Sequence, residues 1–410
     1  VTAAVRLLIA NLDHEASLRR AEGHHERALT RAATRTAAAM GSLLRVLGED
    51  EDELWLPGPL APERLTAGSP RPRLLPGTIL PPTRQGPRLS WAPTDVASAT
   101  VDGSLRAEEI EKGGASLHQL LWRLPSCPLD TAARFHRRTT HLLLAREMNV
   151  SLPGARVVRS IGEVEKALAR DSGQRWIAKA PFSAAGRDRA ILSTPLGDED
   201  GRRVGRLLRL HSELVLEPWV TRHADVGLIG VCATDGPVVL SLHLQTLDSR
   251  GRCHEILLAL DRGVPPGIDD RVASQMTRVA RRIGERMHGE GYRGPFGIDG
   301  FLHGRDPDRA ELHPLCEINA RMTLGLLARC AAERLVSPLP GPARVQVRFA
   351  LGPRIPDSVA DGEVIPLLFP DAAHPLGIWL ESTSCGGSSA GRAGASVAAF
   401  SPADSSLPRK

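Results

Sequence analysis

Apolar residues along the chain gather into short blocks, and their spacing separates strands from helices. Residues 5–11 (VRLLIAN) read as a buried strand at the start. The Ala-, Leu- and Arg-rich stretch from Glu15 to Leu47 follows a helical period and holds two helices. An acidic turn and Leu54-Trp55-Leu56 then give a second strand. From Pro57 to Pro93 prolines are dense, which disfavours helix and predicts an extended connector or edge strand. A helix near Ser116–Leu124 follows.

From Thr131 the pattern becomes regular. One basic helix is predicted over Ala133–Met148, then a strand at Arg156–Arg159. Ser160 with Glu163 three residues on forms a capping box that opens a helix. The strand RWIAKAP (175–181) runs into a small-residue loop, Phe182–Arg187, and a strand at Arg189–Leu192. A helix over Asp198–Leu210 precedes the strands ELVLEPWV (213–220) and VGLIGVCA (226–233). A turn at Asp235-Gly236 pairs the latter with VVLSLHLQTLD (238–248). A helix over Asp269–Gly289 leads to two strands, FGIDGFLH (296–303) and the stretch Ala310–Gly325, and a helix over Leu324–Leu335. Apolar pieces at Val345–Leu351, Val364–Phe369 and Gly377–Leu380 complete the ordered part. From Glu381 the Gly/Ser/Ala-rich end is expected to be flexible, and its CGGSSAGRAG lacks the strand, helix and GK[ST] ending of a phosphate loop.

Composition narrows the classes. With 410 residues the chain has room for two or three domains, and 42% hydrophobic content is that of a globular protein. Aromatic content of 3% argues against base-stacking nucleic-acid modules, and the net charge of +5 is scattered rather than clustered. No apolar run nears the ~20 residues of a membrane span, and the start does not read as a signal peptide. The six cysteines show no CxxC or zinc spacing and suit a reducing, cytoplasmic setting. The first strand lacks a following GxGxxG, so the small strand–helix–strand lobe is Rossmann-like without the dinucleotide fingerprint. There are only four lysines (112, 166, 179 and 410) against 48 arginines. Lys179 stands mid-strand where Arg is the chain's habit, which points to a need for a compact ammonium.

Candidate chemistry centres on Ala310–Gly325. Glu317, Asn319 and Arg321 recur every second residue, so on a strand they share one face at intervals of roughly 6–7 Å. A carboxylate and an amide oxygen are hard ligands for Mg²⁺, and an Arg beyond them suits an anion or oxyanion. Asp299 on the preceding strand adds a second carboxylate. Upstream lie Lys179 before its small-residue loop, Arg137 or Arg138 on the basic helix, and Glu217-Pro218-Trp219-Val220 at a strand end. His243 and His254 flank the hairpin and either reach a substrate or pack in the core; Arg187 and Arg189 either clamp phosphate or are solvated.

This ordered set over residues 131–336 resembles the ATP-grasp superfamily, and the N-terminal lobe is similar to the pre-ATP-grasp domain that precedes it. The resemblance implies an α/β chain, an α+β ATP-grasp fold of two lobes clamping ATP behind a small Rossmann-like domain. The expected divisions are 1–95, a connector 96–130, lobes at 131–220 and 221–381, and a tail 382–410. It implies that Lys179 contacts the α/β-phosphates and that Arg138 or Arg137 is the first phosphate-side cation, where family members often carry Lys. Ser183 and Gly186 would belong to a lid loop over the γ-phosphate, Glu217 and Val220 would frame adenine, and Asp225 would meet the ribose. Asp299, Glu317 and Asn319 would hold Mg²⁺ (or Mn²⁺), with Arg321 facing an acyl phosphate. The implied activity is an ADP-forming ligase that joins a carboxylate to an amine or related nucleophile. Small-molecule substrates or a peptide are its expected partners, with no nucleic acid and no membrane, and an oligomer is compatible. A degenerate ATP-binding regulator and a phosphotransferase are the alternatives.

Overall fold

The structure is a computed structural model. It describes residues 5–12, 14–21, 30–66, 68–77, 86–93, 104–113, 115–125, 127–171, 173–183, 187–248, 251–260, 263–337, 344–358, 362–372 and 374–384. The first sheet is built from β1 (Leu7–Ile9), β2 (Glu53–Leu56), β3 (Arg73–Pro76) and β4 (Arg88–Ser90), all parallel, in the order β3-β2-β1-β4. The helices α1 (His14–Ala21) and α2 (Arg31–Gly41), with a tight turn at Ser42–Leu47, make the crossover from β1 to β2. The proline-dense stretch therefore supplies the two outer strands, where a missing N–H donor costs least. Short helices α3 (Ala107–Lys112) and α4 (Leu117–Leu121) follow.

The basic helix predicted over Ala133–Met148 is broken. It forms α5 (Leu129–His136) and α6 (Arg138–Glu147), separated by Arg137 in extended conformation (φ −79°, ψ 122°). The break frees the Arg138 backbone N–H to donate to the Pro181 carbonyl at 3.0 Å. It also sends the two arginines in different directions.

The second sheet is antiparallel: β5 (Arg156–Val158), β6 (Trp176–Lys179), β7 (Arg189–Leu192) and β8 (Leu214–Pro218), in the order β5-β8-β6-β7. Helices α7 (Ile161–Leu168), capped by the Ser160 side chain as expected, and α8 (Asp198–His211) pack on it. The third sheet holds β9 (Arg222–Cys232), β10 (Pro237–Leu247), β11 (Cys253–Ala259), β12 (Gly294–His303), β13 (Glu311–Asn319), β14 (Arg344–Gly352), β15 (Gly362–Leu368) and β16 (Gly377–Ser384). Its order is β13-β12-β9-β10-β11-β14-β16-β15, antiparallel at every pairing. Helix α9 (Asp270–Gly289) packs across β9 and β10, and α10 (Leu324–Leu335) covers the other face.

Two expectations shift. Strand β11 is additional to the predicted elements, because its CHEILLA reads as mixed polar and apolar. The end does not loosen at Glu381: that residue lies in β16, is buried, and accepts from the Trp379 indole at 2.7 Å and from Arg348 at 2.7 Å. The CGGSSAGRAG stretch lies outside the described residues.

The largest core joins the first sheet to the third: Leu8, Leu44 and Leu54 share it with Leu326, Phe349 and Leu380. Arg45 is fully buried within it. Its guanidinium donates to the carbonyls of Thr66, Pro70 and Leu367 and to the Thr66 hydroxyl, so the loop before β3 and strand β15 together satisfy it.

Candidate active site

The second and third sheets face each other across a cleft of about 350 Å³, also lined by α1 and by Trp91 from the loop after β4. On β12 and β13 alternation decides what reaches it. Ile298 and Ile318 turn into the core, while Gly297, Asp299, Glu317 and Asn319 line the cleft. Asp299 stands directly opposite Glu317, and Gly297 opposite Asn319. The two-carboxylate edge is thus a cross-strand pair in register. Asp299 accepts from Gln245 Nε2 at 2.7 Å and from Asn319 Nδ2 at 2.9 Å. Burial, followed by the neighbouring Glu317 charge, pushes the Asp299 carboxyl up to about 6. Burial also opposes ionisation of Glu317, but Arg138 together with His141 and His136 outweighs it and holds that carboxyl below its ordinary range.

Arg138 is the hub of the cation side. It donates to Glu317 Oε1 at 2.8 Å, to Ser183 Oγ at 2.8 Å, and to the carbonyls of Ala180 (3.0 Å) and Ser183 (2.9 Å). Arg137 faces elsewhere, toward Glu213 at 3.5 Å and over the Phe182 ring. Of the two arginines, Arg138 lines the cleft.

Lys179 ends β6 and forms a buried ion pair with Glu217 of β8, a diagonal neighbour on the same face. Burial disfavours the ammonium, yet Cys316, with Sγ at 3.8 Å, and the Glu217 carboxylate raise its pKa above the ordinary value. Asp225 pairs with Arg222 at 2.9 Å, both line the cleft, and the Arg222 guanidinium lies 3.8 Å over the Phe301 ring. The Val220 side chain packs with Leu142, Leu152 and Phe301. Gly186 lies outside the described residues.

Strand β13 ends at Asn319, so Arg321 is not part of the two-residue ladder the sequence suggested. It nonetheless lines the cleft, held by a carboxylate from α1: Glu15 Oε1 accepts from Arg321 Nε at 3.2 Å and Nη2 at 3.0 Å.

Asp299, Glu317 and Asn319 fit a hard dication chemically. They present oxygen donors, two carboxylates and an amide, on facing positions of adjacent strands. Among the described residues no group of three or more His, Cys, Asp or Glu side chains is clustered for a metal, so the donor set is two acids and an amide.

Among solved structures, the fold is similar to N5-carboxyaminoimidazole ribonucleotide synthetase from Thermus thermophilus, with a TM-score of 0.51 over 94% of each chain at 14% identity. It is also similar to the biotin carboxylase–β,γ-ATP complex from Campylobacter jejuni, with a TM-score of 0.52 over 92% of this chain and 87% of that one at 9% identity. The chain has the ATP-grasp fold. No protein-family model matches the sequence, and no curated protein matches it.

Within this ATP-grasp fold, Arg187, Arg189 and His243 also line the cleft, while His254 is not among its lining residues. His243 is buried, with its pKa lowered to about 4 by burial, and packs against two glycines: a Cβ on Gly227 would sit 2.1 Å from its Nε2, and one on Gly325 2.6 Å from its Cε1. Sequence reasoning missed Glu15, Gln245 and Trp91. A Glu at the start of a helix is an ordinary N-terminal preference, so no local signal marked it as a site residue.

Proposed function

We propose that this chain is an ATP-dependent ligase that activates a carboxylate as an acyl phosphate and passes the acyl group to an amine or related nucleophile, releasing ADP and phosphate. The observation that carries the reading is the in-register Asp299–Glu317 pair, with Asn319 beside it, facing Lys179, Arg138 and Arg321 across one cleft. Such a site needs little covalent chemistry of its own, since phosphoryl transfer is governed by positioning and charge neutralisation.

Each side chain then has a role. Lys179, fixed by Glu217, offers an ammonium to the α/β-phosphates. Arg138, braced by Ser183, lies where charge moves toward the metal edge. Asp299, Glu317 and Asn319 would hold Mg²⁺, which would supply charge neutralisation to the nucleotide's phosphates. Arg321 faces the oxyanion that forms when the nucleophile attacks; removing one such donor typically costs about 10²–10³ in rate. Ser183, whose hydroxyl accepts from Arg138, would lie on the γ-phosphate side.

The competing reading is a nucleotide-binding regulator without chemistry. Thermal unfolding with and without Mg-ATP tests both readings. Ligand at about 100 times its Kd should add roughly 2.7 kcal/mol to parent stability. A rise in the parent that shrinks in Lys179→Met and Glu317→Gln, with ADP release when acids and amines are added, supports the ligase. A rise without ADP release supports the regulator, and no rise at millimolar Mg-ATP rejects both.

A further inference from the structure

We infer that Glu15, on the first helix of the N-terminal unit, is a positioning residue for the ligase site that fixes the anion-binding guanidinium of Arg321. The inference rests on the function proposed above. Arg321 lies two residues beyond the end of β13, so no strand ladder orients it. A free Arg side chain loses rotamer entropy when it grips an anion. Four contacts remove that freedom beforehand. Glu15 Oε1 accepts from Nε (3.2 Å) and Nη2 (3.0 Å), the Met322 carbonyl accepts from Nη1 (2.9 Å), and the Trp91 ring lies 5.3 Å from the guanidinium carbon. A guanidinium carries five N–H donors, so these bonds leave one on Nη1 and one on Nη2 for a ligand, a fork suited to phosphate or a tetrahedral oxyanion.

Glu15 is itself fixed. Only 2% exposed, it also faces His136 Nε2 at 3.2 Å. The Ala320 backbone N–H donates to His136 Nδ1 at 3.3 Å, which places the imidazole proton on Nε2, toward Glu15. The chain Ala320–His136–Glu15–Arg321 closes on itself around the end of β13. Four residues further along α1, Arg19 pairs at 2.8 Å with Asp188.

The test uses the full chain loaded with Mg-ADP and titrates inorganic phosphate, the second product of the proposed reaction, by calorimetry. Glu15→Ala should weaken phosphate binding at least tenfold while Mg-ADP affinity stays within twofold. Glu15→Gln, which keeps an acceptor oxygen and the side-chain shape, should recover part of the loss and serves if the alanine variant folds poorly. Arg321→Ala should lose phosphate to the same degree, and the double variant should lose no more, because the two residues act as one unit. Phosphate binding within twofold of the parent in both Glu15 variants overturns the inference, as does an equal loss of Mg-ADP and phosphate or fully additive losses. Absence of phosphate binding to a parent that binds Mg-ADP also overturns it. A parent that fails to bind Mg-ADP overturns the proposed function itself.

Discussion

Replacing Asp299 by Asn should make the protein more stable while removing its response to Mg-ATP. In the ligand-free cleft the Asp299 carboxyl titrates near 6 against an ordinary 3.8, about two units, because burial and Glu317 both disfavour its charge. One unit corresponds to about 1.4 kcal/mol, so the ionised carboxylate carries a penalty of up to about 3 kcal/mol. Asp299 is half-buried, which reduces that figure. The amide that replaces it meets two donors, Gln245 Nε2 and Asn319 Nδ2, and loses about 1 kcal/mol where an NH₂ faces an NH₂. A net gain of about 1–2 kcal/mol remains. The sign follows from linkage. The folded pKa is raised, so the parent escapes the penalty below the unfolded pKa and bears it in full once pH exceeds the folded one. The penalty that Asp299→Asn relieves should therefore be complete above about pH 6.5, about half at pH 5 and gone below about pH 4, where the constant cost of about 1 kcal/mol leaves the variant the less stable of the two. Thermal melts of both proteins in chelator at pH 5, 6.5 and 8 measure it. An equal or lower melting temperature for the variant at pH 8, or a difference independent of pH, refutes the reasoning.

Two further outcomes are expected. Arg138→Ala should abolish the Mg-ATP stabilisation, while Arg137→Ala, whose side chain engages Glu213 and Phe182, should leave the nucleotide Kd within about twofold, near the neutral range for residues outside the site. Gly227→Ala should cost about 1–3 kcal/mol in a urea melt, since its Cβ would lie 2.1 Å from His243 Nε2 and 2.6 Å from Gln245 Nε2; Gly236→Ala, with open space around it, should stay within about 0.5 kcal/mol.

The sheets and the acid pair were legible because their signals are local. Asp299 and Glu317 sit on adjacent strands joined by a short turn, and a period of two fixes which face each presents. Lys179 stood out through the chain's own preference for Arg. What stayed hidden depends on tertiary packing. The break at Arg137 arises because the Pro181 carbonyl competes for the Arg138 N–H, and that carbonyl is more than forty residues away. The strand character of β11 comes from ladders on both sides, to β10 and β14, rather than from its own alternation. Glu15 and Arg321 are 306 positions apart, beyond the reach of any periodicity.

Arg45 sets a schedule for the birth of this protein. Its buried guanidinium is completed by the Leu367 carbonyl, 322 residues later in the chain. At synthesis rates of about 5–20 residues per second, Arg45 waits roughly 15–65 s before that acceptor exists. Through that interval the nascent N-terminal unit carries an incompletely paired cation and the apolar surface around Leu44 and Leu54 without its cover.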